Sequence, residues 1–159
     1  MEFRIIYLPS FKAAVSEVSK EPDFSSEGAL GRFNTYFSAV SHLLDERDKF
    51  SPRDFLYFDE KKGGLRWMWA LIEGMDDGGN NTFDFDGGYY LTFAHKDGDG
   101  DANGRLYNGA MEYIENSDLF ELDVRANHYA MGHIITPQEI FDAQGWGQME
   151  TFIPIKLKD

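Results

Sequence analysis

The chain contains no cysteine. That excludes a disulfide framework, a thiolate nucleophile and a cysteine-based zinc site, and it agrees with a reducing cytoplasm. Basic residues are scarce, with 15 Lys and Arg against 28 Asp and Glu, for a formal net charge of -13. A surface this negative repels phosphate backbones, which argues against direct nucleic-acid binding by this chain. The same field attracts cations. The apolar runs are far shorter than the roughly 18 residues of a membrane span. Met1-Glu2-Phe3-Arg4-Ile5-Ile6-Tyr7 has no basic segment followed by a long apolar one, so no signal peptide is expected. The expected setting is cytoplasmic, away from the membrane. There is no G-x-S-x-G elbow, no P-loop and no G-x-G-x-x-G. Covalent-hydrolase and nucleotide readings therefore lack support, and no cofactor is implied.

What is abundant is aromatic: 14 Phe, 8 Tyr and 3 Trp, 16% of the chain. That suits a large core or an aromatic-lined pocket. A length of 159 residues suits one domain, or two small modules sharing a core.

Phe3 to Tyr7 and Phe11 to Val18 read as strands, with a kink at Pro9 between paired pieces. Ser25 or Ser26 is the expected N-cap of a helix over about Glu27 to Arg47. Its stripe is Leu30, Phe33, Phe37, Val40 and Leu44, at three- and four-residue intervals. The charged run from Asp45 to Phe50 frays, and Ser51-Pro52 ends the helix. Arg53 to Asp59 and Leu65 to Glu73 form a hairpin around Lys61-Lys62-Gly63-Gly64. Alternation sets Leu65, Trp67, Trp69 and Leu71 on one face of the second strand. Gly74 to Asn81 is a flexible acidic linker and the expected module boundary.

The order then repeats. Thr82 to Asp86 is a strand, Gly87-Gly88 a kink, Tyr89 to His95 a strand and Lys96 to Asn103 a polar loop. Gly104 to Asn116 is a helix with Leu106, Ala110, Tyr113 and Ile114 as its stripe. Phe120 to Arg125 is irregular and His128 to Ile135 a strand. Thr136-Pro137-Gln138-Glu139 is a capping box opening a short helix to about Ala143, and Gly145 leads into the closing strand. The expected fold is α+β: a single domain over 1–159 with pseudo-repeats at about 1–75 and 80–159. The halves form a pseudo-twofold pair, with an antiparallel sheet, two main helices and a central ligand cleft.

Three features carry possible chemistry. Asp99 to Gly104 reads D-x-D-x-N-G like the start of a calcium loop, but the twelfth position is Ala110 instead of a bidentate Glu. It reads better as an acidic loop in which Asp101 or Asn103 caps the following helix, and no metal site is expected. His95, His128 and His133 are candidate bases or ligands. His128 and His133, five apart on one strand, point to opposite faces, so structural or surface roles fit better. The third feature is Glu150, in the closing run Gln148-Met149-Glu150-Thr151-Phe152-Ile153-Pro154. Parity groups it with Phe152 and Pro154, against Met149, Thr151 and Ile153. Because Pro154 shares its face, that face is expected to be open and aromatic-rimmed. A carboxylate there is either a solvated strand residue or a receptor for a cation.

With these residues in view, the chain resembles the GyrI-like small-molecule-binding domain, also called the AraC effector-binding domain. The carriers are Phe3-Arg4-Ile5-Ile6-Tyr7-Leu8-Pro9-Ser10-Phe11-Lys12-Ala13-Ala14, Asp86-Gly87-Gly88-Tyr89-Tyr90 and Glu150-Thr151-Phe152-Ile153-Pro154-Ile155. The resemblance implies duplicated β-α-β-β modules and an aromatic pocket between them. It also implies a pocket Glu, matched by Glu150, that pairs with cationic lipophilic compounds. Phe33 and Tyr90 fall where relatives place pocket aromatics. Members often follow a helix-turn-helix DNA-binding domain, which is absent from these residues; a DNA-binding domain or regulator is a possible partner.

The leading expectation is therefore a binding module for a cationic or flat aromatic, drug-like small molecule, related to transcription regulators. Its expected ligand-binding residues are Glu150, Trp67, Trp69, Tyr90, Phe33, Phe37, Tyr107 and Phe152, which supply charge pairing, stacking and cation–π contact. The alternative is a stand-alone hydrolase acting on strained cyclopropane-bearing DNA-alkylating compounds, with Glu150 as general base on water or a tyrosine such as Tyr107 as acid. A third possibility is an interaction module whose acidic surface meets a basic partner.

Overall fold

The computed structural model describes residues 2–44 and 52–159. Its elements in chain order are β1 (Arg4–Leu8), β2 (Phe11–Val15), α1 (Ala29–Val40), β3 (Asp54–Asp59), β4 (Gly64–Ala70), β5 (Asn81–Phe85) and β6 (Gly88–Lys96). These are followed by α2 (Gly100–Glu115), β7 (Phe120–Leu122), β8 (Met131–Ile134), α3 (Gln138–Gln144) and β9 (Gln148–Leu157). The expected α+β class holds, with antiparallel sheet and three α-helices among the described residues. Among those residues no helix is long and apolar enough to cross a membrane.

The elements divide into two compact units: Met1–Pro9 with Gly87–Asp159, and the contiguous Ser10–Asp86. In the first, β1 pairs β6, β6 pairs β9, and β9 pairs both β7 and β8, all antiparallel. In the second, β3 pairs β4, β4 pairs β2 and β2 pairs β5, again antiparallel. So β1 and β2, expected to pair across the Pro9 kink, find their partners elsewhere. The Gly74–Asn81 linker lies within the Ser10–Asp86 unit, leading from β4 into β5.

The first unit is built on β6 and β9. Leu91 and Phe93 of β6 and Ile153 and Ile155 of β9 share one face, where α2 lays Leu106, Ala110 and Ile114. Those helix residues recur every four positions, which aligns them in a single stripe. The helix begins earlier than its apolar stripe predicts, because the Asp99 carboxylate accepts from the Ala102 N–H and caps it. Gly87 has φ 73°, and a Cβ there would lie 2.2 Å from the Leu8 carbonyl oxygen. Only glycine lets the strand entry pass that close to β1.

In the second unit, α1 packs Phe33 and Phe37 over Ala14 and the Trp67, Trp69 and Leu71 edges. The expected alternation of β4 is observed. The expected Ser cap is not: the N-cap is Gly28, with no side-chain cap hydrogen bond. α1 ends at Val40 and a short 3-10 turn, Ser41–Leu43, follows. The expected continuation to Arg47, the fraying run Asp45–Phe50 and the break at Ser51 lie outside the described residues. Nor does Thr136 open a capping box. Its hydroxyl accepts from the Gln148 N–H instead, and Pro137 is the N-cap of α3.

Candidate functional site

Glu150 stands on β9 with Ala94 of β6 and His133 of β8 as its cross-strand partners. Period-two alternation puts Tyr90, Thr92, Phe152, Met131 and Arg4 on the same face, turned away from α2. That face is buried, not open as the Pro154 argument predicts: Tyr90, Thr92, Phe152 and Pro154 are all buried. Proline closes a backbone donor without opening its neighbourhood. Phe152 meets the Tyr90 ring edge-to-face, with centroids 6.4 Å apart.

Glu150 itself is 3% exposed. Its positive partner is Arg4, whose Nε and Nη2 donate to Oε1 at 2.9 and 2.5 Å. Arg4 Nε also lies 3.3 Å from Thr92 Oγ1. The guanidinium thus reaches across β6 to the second strand beyond its own, over the small Ala94 side chain. The Arg4 side chain is 65% exposed, so a solvent-exposed cation caps a buried anion. Arg4 was legible only as part of a strand motif. A lone cation in an apolar strand was the available signal, but its partner is 146 residues away.

A second charged cluster lies in the same unit. The buried Asp123 accepts from Arg125 Nε and Nη2, and its Oδ2 is 3.7 Å from His128 Nε2. Burial works to raise the Asp123 carboxyl, yet the Arg125 hydrogen bonds and the His128 and Arg125 charges hold it below its ordinary value. His128 precedes β8 instead of lying on it, so its parity with His133 carries no meaning. Its Nδ1 and Nε2 are 2.9 and 3.0 Å from the Ala126 and Gly87 carbonyl oxygens. Burial, and then the Asp123 charge, push the Tyr90 phenol well above the usual tyrosine range.

The remaining expected site residues occupy two other places. Tyr107 is on α2 and lines a cleft of about 400 Å³ with His95, Asp97, Asp99, Asn103 and Thr151. Since Thr151 and Met149 line it, this cleft opens on the face opposite Glu150. Tyr107 and Glu150 therefore serve different faces of this sheet. Trp67, Trp69, Phe33 and Phe37 come together in the Ser10–Asp86 unit, under α1. Phe37 stacks on Trp69 at 5.1 Å, Phe33 on Trp67 at 6.5 Å, and Trp67 Nε1 donates to Asp54 Oδ2 at 3.0 Å. Phe33 also lines a cleft of about 370 Å³ with Arg32, Tyr36, Gly78 and Asn80. Among the described residues no group of three or more His, Asp or Glu is placed to hold a metal ion.

Neither a family model nor a curated protein sequence matches the chain. Solved structures do. SAV2435 bound to tetraphenylphosphonium superposes with a TM-score of 0.58 at 15% identity, covering 98% of this chain and 94% of that one. The EcmrR C-terminal domain gives 0.63 at 14% identity, covering 97% and 96%. The fold is that of a GyrI-like domain. Other proteins of similar fold differ in description: a hydrolase from Listeria innocua gives 0.56 at 10% identity, covering 98% and 92%. Within this GyrI-like fold, the Glu150 face, the Tyr107 cleft and the Phe33 cleft are the candidate binding surfaces.

Proposed function

We propose that this chain is a small-molecule-binding domain related to those of transcription regulators. Its ligand is a lipophilic or flat aromatic cation, received by Glu150. The observation that carries this reading is a carboxylate 3% exposed whose positive partner is a solvent-exposed side chain. A buried carboxylate keeps its charge only beside a positive group, so the position is built to hold a cation. Tyr90 and Phe152 lie beside it on the same sheet face and offer the aromatic wall. A protein of similar fold, SAV2435, has been solved with a cation bearing four phenyl rings.

The domain organisation belongs to the same proposal. β2-α1-β3-β4 and β6-α2-β8-β9 share a β-α-β-β order once β7 and α3 are read as insertions in the second, which supports descent from one duplicated module. A DNA-binding domain or regulator is the proposed partner that reads out occupancy.

Titration calorimetry with tetraphenylphosphonium tests the assignment. Glu150→Gln is expected to weaken binding by about 2 kcal/mol or more, the usual cost of losing one member of a buried charge pair. Equal affinity for the wild type and the variant would remove Glu150 from the site.

A further inference from the structure

The resident cation on Glu150 belongs to the protein, and this bears on which ligands enter. Both Arg4 contacts fall on Oε1, from Nε and Nη2. A full guanidinium–carboxylate fork uses both oxygens, so this pair leaves Oε2 for another donor. Ala94, the Cα partner of Glu150, is exposed, whereas Glu150 is not. The approach to the carboxylate thus runs over a methyl group, and the group that closes it is the Arg4 side chain. That side chain is attached to β1, which pairs β6 from Arg4 to Leu8, so its backbone is held in the sheet while its head borders water, 65% exposed.

We propose that Arg4 is a tethered competitor that sets the selectivity of this site. It occupies the carboxylate when no ligand is present and swings outward when a ligand supplies a positive charge in its place. The proposal rests on the reading of Glu150 as the cation receptor. Two consequences follow. A neutral ligand cannot replace Arg4, because it would leave Glu150 buried without a counter-charge. Moreover, a cation binds more weakly than the carboxylate alone would allow. If Arg4 holds Glu150 about nine-tenths of the time, apparent affinity falls about tenfold.

The test measures tetraphenylphosphonium and the neutral triphenylphosphine oxide on the full chain, with Arg4→Gln, Arg4→Met, Arg4→Lys and Glu150→Gln. Arg4→Gln and Arg4→Met both remove the charge, so either serves if the other fails to fold. The expected result is about tenfold tighter phosphonium binding in the charge-removing variants and little change in Arg4→Lys. Phosphine oxide affinity should not rise in parallel. Unchanged or weaker phosphonium binding in the Gln and Met variants, with binding still lost in Glu150→Gln, overturns the competitor and leaves the receptor standing. A gain in Arg4→Lys equal to that in Arg4→Gln makes the effect steric and also overturns it. Full phosphonium affinity in Glu150→Gln overturns the receptor reading and, with it, the competition.

Discussion

Arg125 grips Asp123, two residues back along the chain, with Nη2 2.7 Å from Oδ2 and Nε 3.0 Å from Oδ1. The carboxylate is buried and the guanidinium half-open, so the exposed partner holds the inaccessible one. Because the folded carboxyl titrates below its ordinary 3.8, its stabilisation is complete above that pH. It is lost as pH falls through the lower folded value. Asp123→Asn is expected to cost about 1–2 kcal/mol at neutral pH, since Arg125 is largely solvated. It should also flatten the acid limb of a stability–pH curve followed by circular dichroism.

Tyr90 predicts the opposite limb. Its phenol lies above the ordinary 10.0 when folded, so its contribution is intact below pH 10 and declines as pH rises further. In a near-ultraviolet absorbance titration, Tyr90 should be among the last of the 8 tyrosines to ionise, in step with unfolding. Tyr90→Phe should soften the alkaline loss of stability.

Two glycines with similar backbone angles separate strain from crowding. Gly63 has φ 69° and nothing within 4 Å of a built Cβ, whereas Gly87 at φ 73° meets the Leu8 carbonyl. Gly63→Ala is expected to cost about 1 kcal/mol, the left-handed penalty alone. Gly87→Ala adds a backbone clash and should cost about 3 kcal/mol. Urea denaturation of both variants tests the difference.

Phe37 is fully buried and stacks on Trp69 with ring planes 14° apart. Phe37→Ala should cost about 3–5 kcal/mol. Tryptophan fluorescence in the folded state should shift as Trp69 gains water. A change below about 1 kcal/mol would mean that α1 repacks over the sheet.

Elements governed by local periodicity are legible in the sequence. The alternation of Leu65, Trp67, Trp69 and Leu71 and the four-residue spacing of Leu106 and Ala110 placed the faces that meet α1 and α2. Caps were less legible, because Asp99, Asp101 and Asn103 offer the same chemistry and only backbone geometry chooses Asp99. Strand partnership was not legible at all. Arg4 reaches Thr92 across 88 residues, and nothing in either local pattern encodes that register. Glu150 could be singled out as unusual, but its counter-ion could not be named without the β1–β6 pairing. Nor does Pro154 mark an open face, because a proline lacks only a backbone donor and can be buried like its neighbours.

The division of the chain also bears on synthesis. Ser10–Asp86 is one uninterrupted unit, whereas β1 belongs with Gly87–Asp159. As the ribosome delivers the chain from the N-terminus, β2 to β5 can assemble as soon as Asp86 has emerged, while β1 waits for β6. Its apolar Ile5, Ile6 and Tyr7 stay without strand partners through that interval, a window in which a chaperone or a second nascent chain competes for them. Closure of Arg4 onto Glu150 spans 146 residues and needs both β6 and β9, so this ion pair reports that the two strands have been made and have paired.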